Sequence, residues 1–250
     1  MIPKIIHYCW FGNKSKSKTA LRCLDSWKTY APDFEIKEWN ESNTKQFQNK
    51  FYKDAYRKKK YAFVADVIRT SVLYTHGGIY MDLDMLLLKP INHLLIYDFF
   101  SGYEVEDRVN FALFGGIKGH RFFKSMHQFY KTTPFNQFSL PVITHTFSPI
   151  INEETLQENE VILDPDFFYA LTYQNREQEF KKYVTINSIA VHLWDHSWEQ
   201  KEEKETLWIL IKKIKVVLVD YLFFNYPKAY FKRYFKEFSR KIAHKILLKS

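Results

Sequence analysis

Cysteine is nearly absent: Cys9 and Cys23 are the only two in 250 residues. That excludes a disulfide framework and a metal site built from thiolates alone, and it points to a reducing compartment. No uninterrupted apolar run reaches the ~18 residues of a membrane-spanning helix. The opening MIPKIIHYCWFG lacks a charged leader followed by a long apolar block, so no signal peptide is expected. Net charge is scarce over most of the chain. Residues 201–250 hold thirteen Lys and Arg against five Asp and Glu, which accounts for +8 of the total +9. A nearly neutral body does not carry the broad basic surface of a nucleic-acid binder. Internal repeats and low-complexity segments are also missing.

What is present is a folding composition, 46% apolar and 18% aromatic. The length fits one domain with an appendage, divided as a body over 1–200 and a basic tail over 201–250. A strand is predicted from Lys4 to Trp10. In SKTALRCLDSWKTYAP, Leu21, Leu24, Trp27 and Tyr30 recur at helical spacing and the pattern stops at Pro32. FEIKEWN alternates as a strand does. YAFVADVIRTSVLYTHGG predicts a helix with Ala62, Ala65, Ile68, Val72 and Thr75 on one face and Gly77–Gly78 as its C-terminal cap. RKKK at 57–60 reads as a solvated helix end. IYMDLDMLLL follows as one strand. Residues 110–117 and 160–169 read as further strand pieces, with a helix near 120–131 between them, and SIAVHLWDHSW as a late strand. The β-α-β-α-β order predicts an α/β layered fold with a mostly parallel sheet.

Asp82 and Asp84 stand out because their neighbours are greasy. On a strand they would share a face, roughly 6.6–7 Å apart. Two unpaired carboxylates at that separation repel by roughly 2.5 kcal/mol at an effective dielectric near 20, and burial adds a desolvation cost. A divalent cation with oxygen ligands, completed by a phosphate-bearing substrate, would offset this. Simple solvation, or pairing with Arg69 and Lys89, would too. Asp66 and Arg69 share a helix face. Arg69 has the fork to grip a phosphate or sugar oxygen and Asp66 the oxygens to accept hydroxyls; an internal salt bridge explains the pair equally. Downstream, AVHLWDHSW brings His192, Asp195, His196, Ser197 and Trp198 together, with an imidazole suited to a metal and donors suited to phosphate.

These blocks resemble glycosyltransferase family 32, the sugar-binding region containing an Asp-x-Asp motif. IPKIIHYCWFG, AFVADVIRTSVLYTHGGIYMDLDMLLLKP and AVHLWDHSW carry the resemblance, across residues 2–198. It implies a GT-A type nucleotide-diphospho-sugar transferase fold, a nucleotide-sugar donor (a UDP-sugar favoured), a Mn²⁺ or Mg²⁺ ion, and hexose transfer with retention. It further implies Trp10 at the nucleobase, Asp66 and Arg69 at the donor sugar, and Asp82 and Asp84 at the metal and ribose. His192 would be a late metal ligand, and Ser197 and Trp198 a diphosphate-binding loop. Ala65 replaces a serine common in the family, and the match at Asn110 is loose. Relatives act in capsule and other surface-polysaccharide synthesis, which implies a glycan acceptor, plausibly lipid-linked.

The tail pairs two amphipathic segments. Leu207, Leu210, Ile211, Ile214, Leu218, Tyr221 and Leu222 form one apolar stripe; Phe231, Tyr234, Phe235, Phe238, Ile242 and Ile246 form another, opposite Lys and Arg. This predicts association with an anionic membrane surface, hence a cytoplasmic protein peripheral on the inner face of the cell membrane, with no nucleic-acid partner. Two other classes compete: a non-catalytic membrane adaptor on a transferase fold, and a phosphohydrolase opening on Asp-x-Asp.

Overall fold

The computed structural model describes residues 1–195 and 205–247. Two compact units emerge, 1–198 and 199–250. In the first, the strands and helices in chain order are β1 (Ile5–Cys9), α1 (Lys18–Tyr30), β2 (Glu35–Trp39), α2 (Lys50–Arg57), α3 (Tyr61–His76), β3 (Gly78–Met81), β4 (Met85–Leu87), β5 (Phe99–Val105), β6 (Arg108–Gly116), α4 (Arg121–Thr132), α5 (Ile143–Phe147), β7 (Glu160–Leu163), α6 (Pro165–Phe168) and β8 (Ala190–His192). The second unit consists of α7 (Leu207–Phe223) and α8 (Lys228–Leu247).

Six strands form a mixed sheet in the order β2-β1-β3-β6-β5-β7. β1 is parallel to β2 and β3, and β5 to β7, while β6 is antiparallel to both its neighbours. Five strands therefore point the same way, and their C-terminal ends gather on one edge, where such sheets bind ligands. Side chains alternate across the sheet as the strand period requires. Tyr80 enters the core formed with α2, α3 and α4, whereas Ile79 and Met81 enter the core formed with α1. A two-stranded ribbon, β4 with β8, stands apart from the main sheet. α1 fixes it: the Trp27 indole donates to the Met85 carbonyl at 2.7 Å, and the Leu87 amide donates to Ser26 Oγ at 3.0 Å.

The strand and helix order follows the sequence reading, with these departures. IYMDLDMLLL is not one strand but β3, a turn, and β4. β5 and α5 had no predicted counterpart, and of α2 only the end at 57–60 was read. The stretch 160–169 is strand only to Leu163; Pro165 sits at the first turn of α6, where its missing N–H costs nothing. On α3, Thr75 is exposed, whereas every residue from Phe63 to Leu73 is buried, because sheet, α2 and α4 enclose the helix. Gly77 and Gly78 close α3 with φ of 69° and 103°, a region that L side chains avoid. A Cβ at Gly78 would also meet the Ile5 carbonyl at 2.7 Å.

In the second unit α7, capped by Thr206, pairs with α8. No described helix is long and apolar enough to cross a membrane.

A buried imidazole joins three elements of the body. His7 on β1 is fully buried; its Nε2–H donates to the Gly77 carbonyl at 2.9 Å, and its Nδ1 accepts from the Trp39 indole at 3.0 Å. That pattern needs the neutral ring. Burial pushes the imidazole down to about 4, helped by the neighbouring His76 and Lys37 and opposed by the Gly77 bond. The unfolded chain, titrating near 6.5, binds this proton first, so the contribution is complete above pH 6.5 and is lost as pH falls towards 4. Urea unfolding should show about 3 kcal/mol of stability disappearing over that window through His7. His7→Gln should flatten that part of the profile; an unchanged slope would contradict the assignment.

Candidate active site

The site forms where β3 leaves the sheet. The Asp82 amide donates to the Ala112 carbonyl at 2.8 Å, the last bond to β6, and the Met85 amide then donates to the Asp82 carbonyl at 2.9 Å, closing a turn. The expectation that Asp82 and Asp84 lie on one face of a strand is therefore corrected. An extended chain would point both carboxylates the same way among apolar side chains. The turn instead hands each one its own partner, Arg69 for Asp82 and His192 for Asp84.

Asp82 goes to Arg69. The guanidinium Nη2 lies 3.1 Å from Asp82 Oδ1, and Nη1 donates to the Phe111 carbonyl at 2.9 Å. Nε stands 3.3 Å from Asp66 Oδ1. Tyr80 supports the plane of the guanidinium, 4.4 Å from its ring centre, and its hydroxyl donates to Asp82 at 3.0 Å. Asp66 and Arg69 are both buried, while the Asp82 side chain is 31% exposed. Burial pushes the Asp66 carboxyl up to about 7, against the pull of Arg69. Burial also raises Asp82, with Arg69 opposing and the Asp84 charge adding to the rise.

Asp84 goes to His192. Its Oδ2 lies 3.1 Å from Nε2 of the imidazole and also accepts the Asp195 amide at 3.0 Å, while its carbonyl accepts the Leu193 amide at 2.8 Å. Burial would raise Asp84, but the charge and hydrogen bond of His192 override it and leave the carboxyl below its usual range. The reciprocal holds for His192: burial would lower it, and Asp84 lifts it above an ordinary imidazole. Trp194 lies against the His192 ring, centroids 3.8 Å apart, with its own backbone in the left-handed region at φ 54°. Ser17, which caps α1, donates to the Asp195 carboxylate.

The edge therefore brings Asp66, Arg69, Asp82, Asp84 and His192 into one connected cluster. Trp10 follows β1 at the same edge of the sheet; its indole donates to the Lys14 carbonyl at 2.7 Å, and Lys16 sits 5.8 Å from its ring centre. Ser197 and Trp198 lie outside the described residues. Asp66, expected at the donor sugar, is turned inward on Arg69; Asp82 offers the accessible carboxylate.

A divalent cation was expected on Asp82, Asp84 and His192. Among the described residues no three His, Cys, Asp or Glu side chains converge on a ready metal position: Asp82 is held by Arg69, and Asp84 by His192. The donor set nonetheless suits a hard cation. Two carboxylates meet at the turn, one of them open to solvent, and His192 Nδ1 is buried with no hydrogen-bond partner among the described residues.

Several contributors went unread in the sequence. Tyr80 looked like one more apolar neighbour of the aspartates. Glu104, at the end of β5, is 12% exposed and bonded to Arg108 at 2.8 Å and to Asn110 at 2.9 Å. It is close enough to raise His192. Asn110 also accepts the Ala112 amide at 2.8 Å. Here the β5–β6 register shifts between Phe100 and Gly102, and β6 spends the freed backbone groups of Phe111 and Ala112 on Arg69, Asp82 and Asn110. Irregular strand pairing often re-aims groups beside a site; nothing in the local composition announces it.

Residues 17–100 match the family described as glycosyltransferase sugar-binding region containing DXD motif. Inositol phosphoceramide mannosyltransferase 3 of Schizosaccharomyces pombe is 29% identical over 154 residues, 59% of this chain and 42% of the relative. The uncharacterized glycosyltransferase L373 of Acanthamoeba polyphaga mimivirus is 33% identical over 118 residues, 43% of this chain and 45% of the relative. The chain thus spans under half the length of these relatives. Among solved structures, the PaToxG glycosyltransferase is similar at 17% identity and a TM-score of 0.47, covering 60% of this chain and 69% of that one.

Arg69 is the buried charge on which two acids lean. Arg69→Met should lower the unfolding free energy in urea by about 3–5 kcal/mol, the cost of stranding a buried partner. Asp82→Asn, at a partly solvated position, should cost about 1 kcal/mol or less. Equal, small losses for both would show that Arg69 is not the keystone.

Proposed function

We propose, from the match of residues 17–100 to the glycosyltransferase sugar-binding region containing a DXD motif, that this chain transfers a hexose from a nucleotide sugar to a hydroxyl of a glycan. The observation that carries this reading is the turn at 82–84, which sets two carboxylates on one ligand-binding sheet edge and leaves one of them accessible beside a buried guanidinium. The resemblance in the sequence favours a UDP-sugar, retention of configuration, and a lipid-linked acceptor in surface-polysaccharide synthesis.

A Mn²⁺ or Mg²⁺ ion, when bound, would be held by Asp82 and Asp84 and would supply Lewis-acid neutralisation of the departing diphosphate. The remaining tasks fall to the chain. Arg69, fixed by Asp66, Asp82 and the Phe111 carbonyl, provides a cation that cannot reorient, so its field acts on developing negative charge without reorganisation. Asp82 has the exposure to accept donor hydroxyls, and Tyr80 fixes its rotamer. His192 holds Asp84 through its Nε2, and Trp194 packs on the imidazole. Asp66 is engaged with Arg69 and suits a positioning role rather than that of a nucleophile. Front-face attack, with the departing phosphate receiving the acceptor proton, needs no such nucleophile. The match of residues 17–100 to a sugar-binding region favours transfer over an adaptor or a phosphohydrolase.

The full chain, given a panel of nucleotide sugars with and without Mn²⁺ and assayed for released nucleoside diphosphate, should hydrolyse a UDP-sugar slowly and only with the metal. Asp84→Asn should reduce that release by at least about a hundredfold while keeping its far-UV spectrum. No metal-dependent release from any nucleotide sugar would overturn the reading. Normal, still metal-dependent turnover by Asp84→Asn would overturn the assignment of the turn.

A further inference from the structure

The α7–α8 hairpin has two unlike faces. α7 does not bury the whole of its apolar stripe. Leu210 and Val217 are buried, whereas Ile211, Leu218 and Leu222, one face at helical spacing, are 45%, 39% and 58% exposed. The seven apolar positions expected as one stripe span more of the helix than one partner helix can cover. On α8, Tyr234 and Phe238 are buried, and Phe235 and Ile246 are left 40% and 53% exposed.

Ring contacts show that these exposed residues share a side of the hairpin. Tyr221 on α7 stacks on Phe231 of α8 at 4.8 Å, and Phe231 continues to Phe235 at 5.2 Å. The other side carries the ion pairs, although Phe223 of α7, away from the Leu218 face, is also 74% exposed. There Glu205 pairs with Lys213 at 2.8 Å and with Lys241 at 3.7 Å, Lys241 with Glu237 at 3.2 Å, and Tyr230 donates to Asp220 at 3.2 Å. A hollow of about 460 Å³ on that side is lined by Glu205, Arg240, Lys241, His244 and Lys245. The acids of the described hairpin, Glu205, Asp220 and Glu237, therefore all take part on the polar side. The apolar side is bordered by basic residues: Lys215 on α7, and Lys228, Lys232 and Lys236 on α8, are all exposed.

We propose that this apolar, lysine-bordered side is a docking surface for an anionic phospholipid bilayer, entered in the plane of the interface. The charge pattern selects this occupant. Any partner that covers the aliphatic and aromatic residues must also present anions to the four ammonium groups at their border, as an anionic leaflet does over its whole surface. Phosphate headgroups compensate them while the leucines and Phe235 reach the acyl boundary, which is how in-plane amphipathic helices bind. Lysines beside an anionic leaflet add attraction for as long as salt does not screen it. The hairpin lies flat rather than spanning, consistent with the lack of a described membrane-crossing helix. The proposal is independent of the catalytic reading.

Flotation of the full chain tests it with no need of activity. Wild type should float with vesicles of phosphatidylcholine and phosphatidylglycerol, stay at the bottom with phosphatidylcholine alone, and be released by 0.5 M salt. Leu218→Glu with Leu222→Glu, both solvent-exposed, should lower the bound fraction by at least about tenfold without moving the thermal midpoint. Lys228→Glu, Lys232→Glu and Lys236→Glu together should do the same. Arg240→Ala, on the polar side, should leave binding within about twofold. Loss of binding only in Arg240→Ala would overturn the proposal in favour of a headgroup in the basic hollow. Absence of flotation by wild type would overturn it as well. So would a wild-type dimer that Leu218→Glu with Leu222→Glu converts to monomer, because the face would then belong to a second copy.

Discussion

A single guanidinium, buried in the sheet edge, is the constraint on which the rest of this site depends. Arg69 stands within ion-pair distance of Asp66 and Asp82, bonds the Phe111 carbonyl, and lies on Tyr80. A buried cation is tolerable only when its donors find partners. The partners come from α3, the end of β3 and the irregular part of β6, so fixing this one side chain fixes three elements relative to one another. Asp82 can then stay at the end of β3 with one carboxylate facing solvent, and the chain must turn immediately afterwards to free Asp84 for His192. The two-carboxylate motif is less a pair than a branch point, with a separate basic side chain on each arm.

That branch also explains how distant parts of the chain are tied together. Asp84 accepts from the Asp195 amide, Asp195 accepts from Ser17, and Ser17 caps α1. α1 in turn anchors β4 through Trp27. The motif is therefore bonded directly to the segment 192–195. In physical terms, a ligand that draws Asp84 away from His192 alters the contacts that hold 192–195. Coupling of this kind needs no rearrangement of the sheet, because β3, β6 and β1 are held by their own ladders.

Most of the body was legible in the sequence because its elements obey simple periods. The helix over 61–76 announces itself by length, composition and the Gly77–Gly78 stop, and the first strands by alternation. The turn between β3 and β4 was not legible: Asp82-Leu83-Asp84 contains no glycine or proline, and Leu83 is buried like a strand residue. What breaks the strand is the availability of Arg69 on one side and His192 on the other, a tertiary fact. β5 was missed because its FFSGYEV is buried over most of its length and does not alternate. In the tail the stripes were visible, but which half of each is covered depends on how two helices pair. Of the site, the acids, Arg69 and His192 could be named from residue type and spacing. Asn110 was named only as a loose match, and Tyr80, Glu104 and Trp194 could not be named, since the roles of these residues arise from the irregular β6 and from a left-handed backbone at 194.

The central claim is that the turn at 82–84 holds its two carboxylates on separate partners, Arg69 and His192, at an edge proposed to take a divalent ion and a diphosphate. Diffraction from crystals grown with Mn²⁺ and a nucleoside diphosphate, with anomalous differences recorded at the manganese edge, tests this directly. The account predicts one strong anomalous peak per chain within coordination distance of Asp84, with Asp82 beside it and Arg69 still on the Phe111 carbonyl. A peak elsewhere, or none while nucleotide is bound and Asp84 remains on His192, would contradict it.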